Sequence, residues 1–324
     1  MHLLEIEITY RCNLNCRHCY NRYERVSDMP LEDICRQMEA GLSHGLRKLI
    51  ITGGEACMHP QFEELCRRID RLRERYPDTS FVLQSNGRAS EVDGGLLKAF
   101  DIVHLSYDYD GTTVRRMDAG KLIEFAHRLQ NNGIYAYFFT TVTSENCNLL
   151  DEITGSANAA GVPIAFNICS FNESGGGYLL DTRQKLDVFK KLYSLEQEGK
   201  IRPFKHPYMS IIRNMSSEKY IGNRGGCTAG IASCVIKADG SVIACPFLRE
   251  PAGNVYDAPL EDIWAGSELL MKMRRRDRYD VCGQCEHISY CGGCRKSALE
   301  FSGKIDGFDG YCFKHIAQIP ENMI

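Results

Sequence analysis

The sequence predicts an α/β protein: a partial (β/α)6 barrel over residues 1–199, followed by a linker and a small cysteine-rich domain over residues 200–324. Three observations predict it. Short apolar runs alternate with helically spaced stretches up to about residue 198, the pattern turns irregular after that, and cysteines dominate from Cys227 onward. The expected strands are Leu3–Thr9, Lys48–Thr52, Phe81–Ser85, Ile102–Tyr107, Ile134–Thr143 and Val162–Cys169. Several are almost wholly apolar, as parallel strands under a layer of helices are. Between them, Phe62, Leu65, Cys66, Ile69 and Leu72 share one helical face, and Leu122, Phe125, Ala126 and Leu129 share another. Six βα units fall short of the eight that close a barrel, and in such folds chemistry sits at the C-terminal ends of the strands.

After residue 199, Pro203, Pro207, Gly222, Gly225 and Gly226 mark an irregular connection. Val235–Lys237 and Ser241–Ala244 flank Ala238-Asp239-Gly240, a hairpin signal with Asp-Gly at the turn. Short helical stretches are expected around Leu260–Trp264 and Leu269–Arg276.

Composition excludes several classes. With 324 residues, 44% of them hydrophobic, the chain can bury a large core, and its net charge of −3 carries no basic excess for nucleic acid. Glu5 and Glu7 interrupt any signal-peptide pattern, and no apolar stretch is long enough to span a bilayer. The expectation is a cytoplasmic protein with no nucleic-acid or membrane partner. Sixteen cysteines in a long chain of a reducing compartment point to metal rather than disulfides.

Immediately after the first strand comes Cys12-Asn-Leu-Asn-Cys16-Arg-His-Cys19-Tyr20. Three thiolates at separations of four and three can each ligate one iron of a cubane cluster, and no fourth cysteine follows nearby. An iron left open is a place for a substrate to bind. The alternative is a structural zinc site using Cys12, Cys16, Cys19 and His18. At the same rim, the second strand ends in Thr52-Gly53-Gly54-Glu55. Its two glycines let a ligand approach the backbone, and Glu55 offers a carboxylate to an ammonium group.

Together these residues resemble the radical S-adenosylmethionine (SAM) superfamily, over residues 3 to about 198. Cys12, Cys16 and Cys19 match its CxxxCxxC, and Tyr20 matches the aromatic near the adenine. Gly53, Gly54 and Glu55 match the run that holds the SAM amino group. Gln84-Ser85-Asn86-Gly87 resembles a Gln-Thr-Asn-Gly run, Ser106 and Asp108 a Ser-x-Asp that reaches the ribose, and Arg116 an arginine near the SAM carboxylate. The chain departs from the pattern at Ala56-Cys57 and at Tyr109. The resemblance implies a [4Fe-4S] cluster that binds SAM, reductive cleavage to a 5′-deoxyadenosyl radical, and a flavodoxin- or ferredoxin-type electron donor. The protein supplies orientation and exclusion of water.

The C-terminal part holds Cys227, Cys234, Cys245, Cys282, Cys285, Cys291, Cys294 and Cys312, enough for two fully ligated cubanes. Cys227, twelve residues, Gly240, four residues, Cys245, and then Cys-x2-Cys-x5-Cys resemble the SPASM extension of peptide-modifying radical SAM enzymes. That resemblance implies one auxiliary cluster on Cys227, Cys234, Cys245 and Cys294, and another on Cys282, Cys285, Cys291 and Cys312. It departs where Cys291-Gly-Gly-Cys294 has two intervening residues instead of three, and a zinc knuckle is the alternative. Five cysteines are left. Cys35 and Cys66 read as core, Cys147 opens a helix, and Cys57 and Cys169 at strand ends are either hydrogen donors to a substrate radical or packing.

The SPASM resemblance implies a peptide substrate, a ribosomally made precursor, with net oxidation or cross-linking. An anaerobic sulfatase maturase and a haem-biosynthesis enzyme acting on porphyrin side chains are alternatives, although Pro246 stands where the former carries Asp. A non-catalytic iron–sulfur or zinc protein is the alternative from another class. Because the first strand begins near Leu3, a leader-binding domain is not expected before it. A separate leader-binding protein, or direct reading by Ser170–Gly177 or Lys205–Arg224, would take that role.

Overall fold

In the computed structural model, residues 1–21, 27–108, 118–170, 178–204, 206–216, 226–289 and 291–312 are described. Six strands alternate with helices: β1 (Leu3–Glu7), α1 (Leu31–Ser43), β2 (Lys48–Thr52), α2 (Phe62–Arg75), β3 (Ser80–Ser85), α3 (Gly94–Leu97), β4 (Ile102–Ser106), α4 (Ala119–Asn131), β5 (Tyr135–Val142), α5 (Leu150–Ala159), β6 (Ile164–Ile168) and α6 (Thr182–Gln197). Each strand pairs in parallel with the next, and the sheet stays open. All six expected strands form, with ends displaced by at most two residues.

Alternation along the strands separates two faces. Leu4, Ile6, Leu49, Ile51, Phe81, Leu83, Val103 and Leu105 join one buried cluster with the apolar faces of α1, α2 and α4. All five expected core residues of α2 and all four of α4 lie in it. Each fully buried side chain of this kind contributes about 1.5–3 kcal/mol. Helix starts are set locally. Asp118 caps α4 by accepting from Lys121 N, and Asp181 with Gln184 forms a reciprocal capping box at α6.

The remaining elements are α7 (Pro207–Ser216), β7 (Ser233–Ile236), β8 (Ser241–Ile243), β9 (Pro251–Asn254), α8 (Leu260–Gly266), α9 (Glu268–Arg274), α10 (Asp280–Gly283) and α11 (Arg295–Ser302). The expected hairpin is β7–β8. Gly240 at its turn has φ +83°, and a Cβ there would lie 2.5 Å from the Tyr256 ring. Two features differ from the sequence reading. Part of the stretch read as irregular is helical, because Tyr208, Met209 and Ile212 bury one face of α7. The hairpin also continues the barrel sheet, since β7 pairs in parallel with β1 and the strand order is β6-β5-β4-β3-β2-β1-β7-β8-β9. Among the described residues, no helix is long and apolar enough to cross a membrane.

Candidate functional site

The cluster loop leaves β1 and is stitched to the turn after β2. Gly54 N donates to Thr9 O (2.7 Å) and Glu55 N to Arg11 O (2.8 Å). A Cβ on Gly53 (φ +150°) would sit 2.2 Å from Thr9 O, and one on Gly54 would sit 2.4 Å from Arg11 O. The glycines were read as room for a ligand; here they make room for the chain's own residues 9–11. Thr9 and Arg11 also hold Asp28, at 2.6 and 2.8 Å.

Glu55 is 1% exposed. Its Oε2 accepts from Asn86 N at 2.6 Å and its Oε1 from the Cys57 thiol at 3.0 Å. Burial pushes its pKa up against the pull of the Asn86 bond. Among the described residues no cation pairs with it, so an ammonium group brought here would relieve the cost of the buried charge. Asn86 Nδ2 lies 3.0 Å from Asn13 Oδ1 and 3.7 Å from Cys12 Sγ, joining the end of β3 to the cluster loop. Cys19 N closes a turn on Cys16 O. These residues fit a three-thiolate cluster with SAM beside it.

Other expected contacts surround the same rim. Gln84 Oε1 accepts from Thr52 Oγ1 at 3.0 Å. Ser106 ends β4, and Asp108, buried, lies 3.5 Å from His18 Nε2 of the loop. Arg116 and Tyr109 lie outside the described residues, as do most of Ser170–Gly177 and of the ends of Lys205–Arg224. Burial and then the Glu55 charge push the Cys57 thiol far up, so it stays protonated. Cys169 is buried just past β6.

Sequence reasoning missed the acidic pair beneath the loop. Glu5 and Glu7 fall on the face of β1 opposite Leu4 and Ile6. Burial and then Glu7 push Glu5 to about 8. Burial, followed by the charges of Glu7 and Glu5, holds the Tyr20 phenol well above its ordinary pKa. Its ring meets Phe247 edge-on at 5.5 Å, bringing the cluster loop against the C-terminal lobe. The signal was there: two acids at period two in a strand whose other residues are apolar.

In the C-terminal lobe, Cys282, Cys285, Cys291 and Cys312 all line one cavity, with Tyr208, His287 and Asp309. Asp309 is fully buried; it accepts from Tyr208 Oη (2.7 and 2.8 Å) and Cys294 N (2.7 Å), and its carbonyl accepts from Cys312 N (3.1 Å). Arg295 is 3% exposed, lies over the Tyr279 ring at 4.2 Å, and donates to Ile305 O, Gly307 O and Cys282 Sγ (3.8 Å). Among the described residues it has no carboxylate partner, which a buried cation needs. An anionic iron–sulfur cluster on Cys282 would supply that charge.

Cys227, Cys245 and Cys294 influence one another electrostatically. Burial, then Cys294, pushes Cys227 to about 11; burial, then Cys227, pushes Cys245 higher still. Such thiols ionise when a metal stabilises the thiolate. The fourth expected member, Cys234, is not brought to them: its Sγ lies 3.2 Å from Met1 Sδ. Among the described residues, no group of three or more His, Cys, Asp or Glu side chains is gathered closely enough to hold a single metal ion.

Comparison with known proteins fits this geometry. A family model for the Radical SAM superfamily matches residues 6–153, and one for an iron-sulfur cluster-binding domain, SPASM, matches residues 227–286. The AdoMet-dependent heme synthase of Methanosarcina barkeri is 26% identical over 343 residues, spanning 96% of this chain and 95% of that protein. The mycofactocin maturase MftC of Mycobacterium tuberculosis is 27% identical over 326 residues, spanning 94% and 81%. Among solved structures, Streptococcus suis SuiB bound to S-adenosylmethionine matches with a TM-score of 0.75 at 14% identity, over 96% of this chain and 76% of that one. The structure of anSMEcpe with bound AdoMet and the Cp18Cys peptide matches at 0.69 and 17%, over 98% and 95%. Both share the fold.

Proposed function

The chain belongs to the radical SAM superfamily and carries a SPASM extension; from that membership we propose that it oxidises or cross-links a ribosomally made precursor peptide. The observation that carries the reading is the cavity lined by four cysteines, Cys282, Cys285, Cys291 and Cys312. A cluster ligated on every iron has no place for a substrate and suits an electron acceptor, which an oxidation needs. The match to a mycofactocin maturase over 94% of the chain supports a peptide.

In this reading there are three [4Fe-4S] clusters, one at Cys12, Cys16 and Cys19 and two in the C-terminal lobe, and the domains divide at 199/200. SAM held beside a cluster on Cys12, Cys16 and Cys19 would supply the radical chemistry that removes a hydrogen atom from the substrate. The chain does the rest. Gly53 and Gly54 hold the loop against the turn after β2, Glu55 takes the SAM ammonium, and Asn86 donates toward Cys12. Asp108 and Ser106 face the ribose, Gln84, Tyr20 and Arg116 complete the SAM contacts, and Cys57 and Cys169 are the candidate hydrogen donors. Electrons arrive from a flavodoxin- or ferredoxin-type donor in a reducing compartment.

The test is anaerobic incubation with SAM, a reductant and any short peptide that the neighbouring genes encode, read by mass spectrometry. A peptide lighter by two hydrogen atoms is expected, and an unaltered peptide together with abundant 5′-deoxyadenosine would overturn the peptide reading. A second reading, a porphyrin side chain as substrate, is favoured by the heme-synthase match over 95% of that protein. Offering a propionate-bearing porphyrin in place of the peptide separates the two.

A further inference from the structure

Strand register separates Cys234 from the cysteines it was expected to join. In β7, Cys234 pairs with Leu4 of β1, and Ile236 with Ile6. Leu4, Ile6, Cys234 and Ile236 all belong to the buried cluster beneath the helices. Val235 therefore takes the other face, and across the hairpin it stands opposite Ile243. Beyond the end of β8 at Ile243, Cys245 packs beside a second apolar cluster, not the one that holds Cys234. Cys234 and Cys245 thus belong to different apolar clusters.

Cys234 is wholly buried against Met1, and Cys227 and Cys245 pack instead beside a second apolar cluster that includes Leu270 and Met273. No other cysteine of the lobe is spare, because Cys282, Cys285, Cys291 and Cys312 line the other cavity.

We propose that the auxiliary cluster nearer the barrel is held by three thiolates, Cys227, Cys245 and Cys294, that Cys234 is a core residue, and that the fourth iron takes an exchangeable thiolate from outside the chain. Iron already bound by sulfur favours a further soft donor. The position suits access from the barrel: Phe247, two residues past Cys245, touches Tyr20, next to Cys19. The inference rests on the reading that this lobe holds clusters.

The test compares iron and sulfide after anaerobic reconstitution. Cys245→Ala should lose roughly a third of the iron, whereas Cys234→Val, which keeps an apolar side chain in the outer core, should lose none. Equal losses in the two variants would overturn the inference. Full iron in Cys245→Ala would instead overturn the cluster reading on which it rests. A second measurement needs no change at Cys234. In protein whose Cys12, Cys16 and Cys19 are Ala, 2-mercaptoethanol should alter the electron paramagnetic resonance signal of one reduced auxiliary cluster. An unaltered signal would mean that no iron is open.

Discussion

The chain gathers cysteines in two places on opposite terms. At the barrel rim, Cys12 is exposed and Cys16 and Cys19 partly so, on a loop held by backbone hydrogen bonds and by Asn86. In the C-terminal lobe, Cys282 and Cys291 are 8% and 7% exposed, around a cavity clamped by Asp309 and neutralised by Arg295. An accessible loop of three cysteines stands beside a buried carboxylate, Glu55, that pairs with no cation among the described residues, which suits a charged ligand. Thiols buried beside Arg295, which has no carboxylate partner among the described residues, suit an anion. In the proposed function, the first region does the chemistry and the second takes up the electron it releases.

The largest effect expected from breaking that contrast is at the lobe. Replacing Cys282, Cys285 and Cys291 by Ala should abolish formation of oxidised product while 5′-deoxyadenosine is still made, as chromatography of both species would reveal. Product formation at the parent rate would remove the electron-acceptor role. Next, Glu55→Gln should leave iron content intact and weaken SAM binding about ten- to a hundredfold, the worth of a charge-assisted contact of roughly 1.5–3 kcal/mol. Equilibrium dialysis checks it; unchanged affinity would leave Glu55 a purely structural acceptor for Asn86 and Cys57.

Arg295→Met removes the buried countercharge. The potential of the cluster at Cys282 should fall by about 60–130 mV, the same energy range expressed for a one-electron couple. Arg295→Lys should fall less, because it keeps the charge and loses the fork. A potentiometric titration in which all three proteins coincide would mean that the guanidinium does not act on the cluster.

The smallest effect concerns pH. Burial first, then Lys48 and Arg202, lowers His104 to about 3, and Tyr137 Oη meets its Nε2 at 2.5 Å. Burial and then Lys185 lower His206 to about 3 as well. Between pH 6.5 and 3 the unfolded chain binds protons that the folded one refuses, so stability falls as pH drops through that window and is unaffected above it. His104→Gln keeps an acceptor for Tyr137 and should flatten part of the fall, measured as urea midpoints at two pH values on either side of 6.5.

Much of the barrel was legible because its strands are continuous apolar runs and its helices carry clean three- and four-residue spacing. The rest depended on partners far away in sequence. The helical spacing of Tyr208, Met209 and Ile212 was readable, but Pro207 drew it toward a loop; at the first turn of a helix proline loses nothing. That β7 would dock on β1 is a non-local pairing, and the proposal for Cys234 rests on it. The resemblance to SPASM domains grouped Cys234 with Cys227, Cys245 and Cys294, whereas the register Leu4↔Cys234 sets it among the buried core residues. Glu5 and Glu7 interrupted a signal peptide in the linear reading; in the fold they form the acidic floor beneath Tyr20. The triplet Cys12, Cys16 and Cys19 stands out in the sequence because its members lie within eight residues, on one loop.

The most direct measurement is 5′-deoxyadenosine released from SAM under anaerobic reduction, with parent protein and with Cys12, Cys16 and Cys19 all changed to Ala. Release by the parent and none by the variant, with roughly two-thirds of the iron still bound in it, is the predicted result. Release by the variant, or none by a parent protein fully loaded with iron, would contradict the assignment of the radical chemistry to the barrel rim.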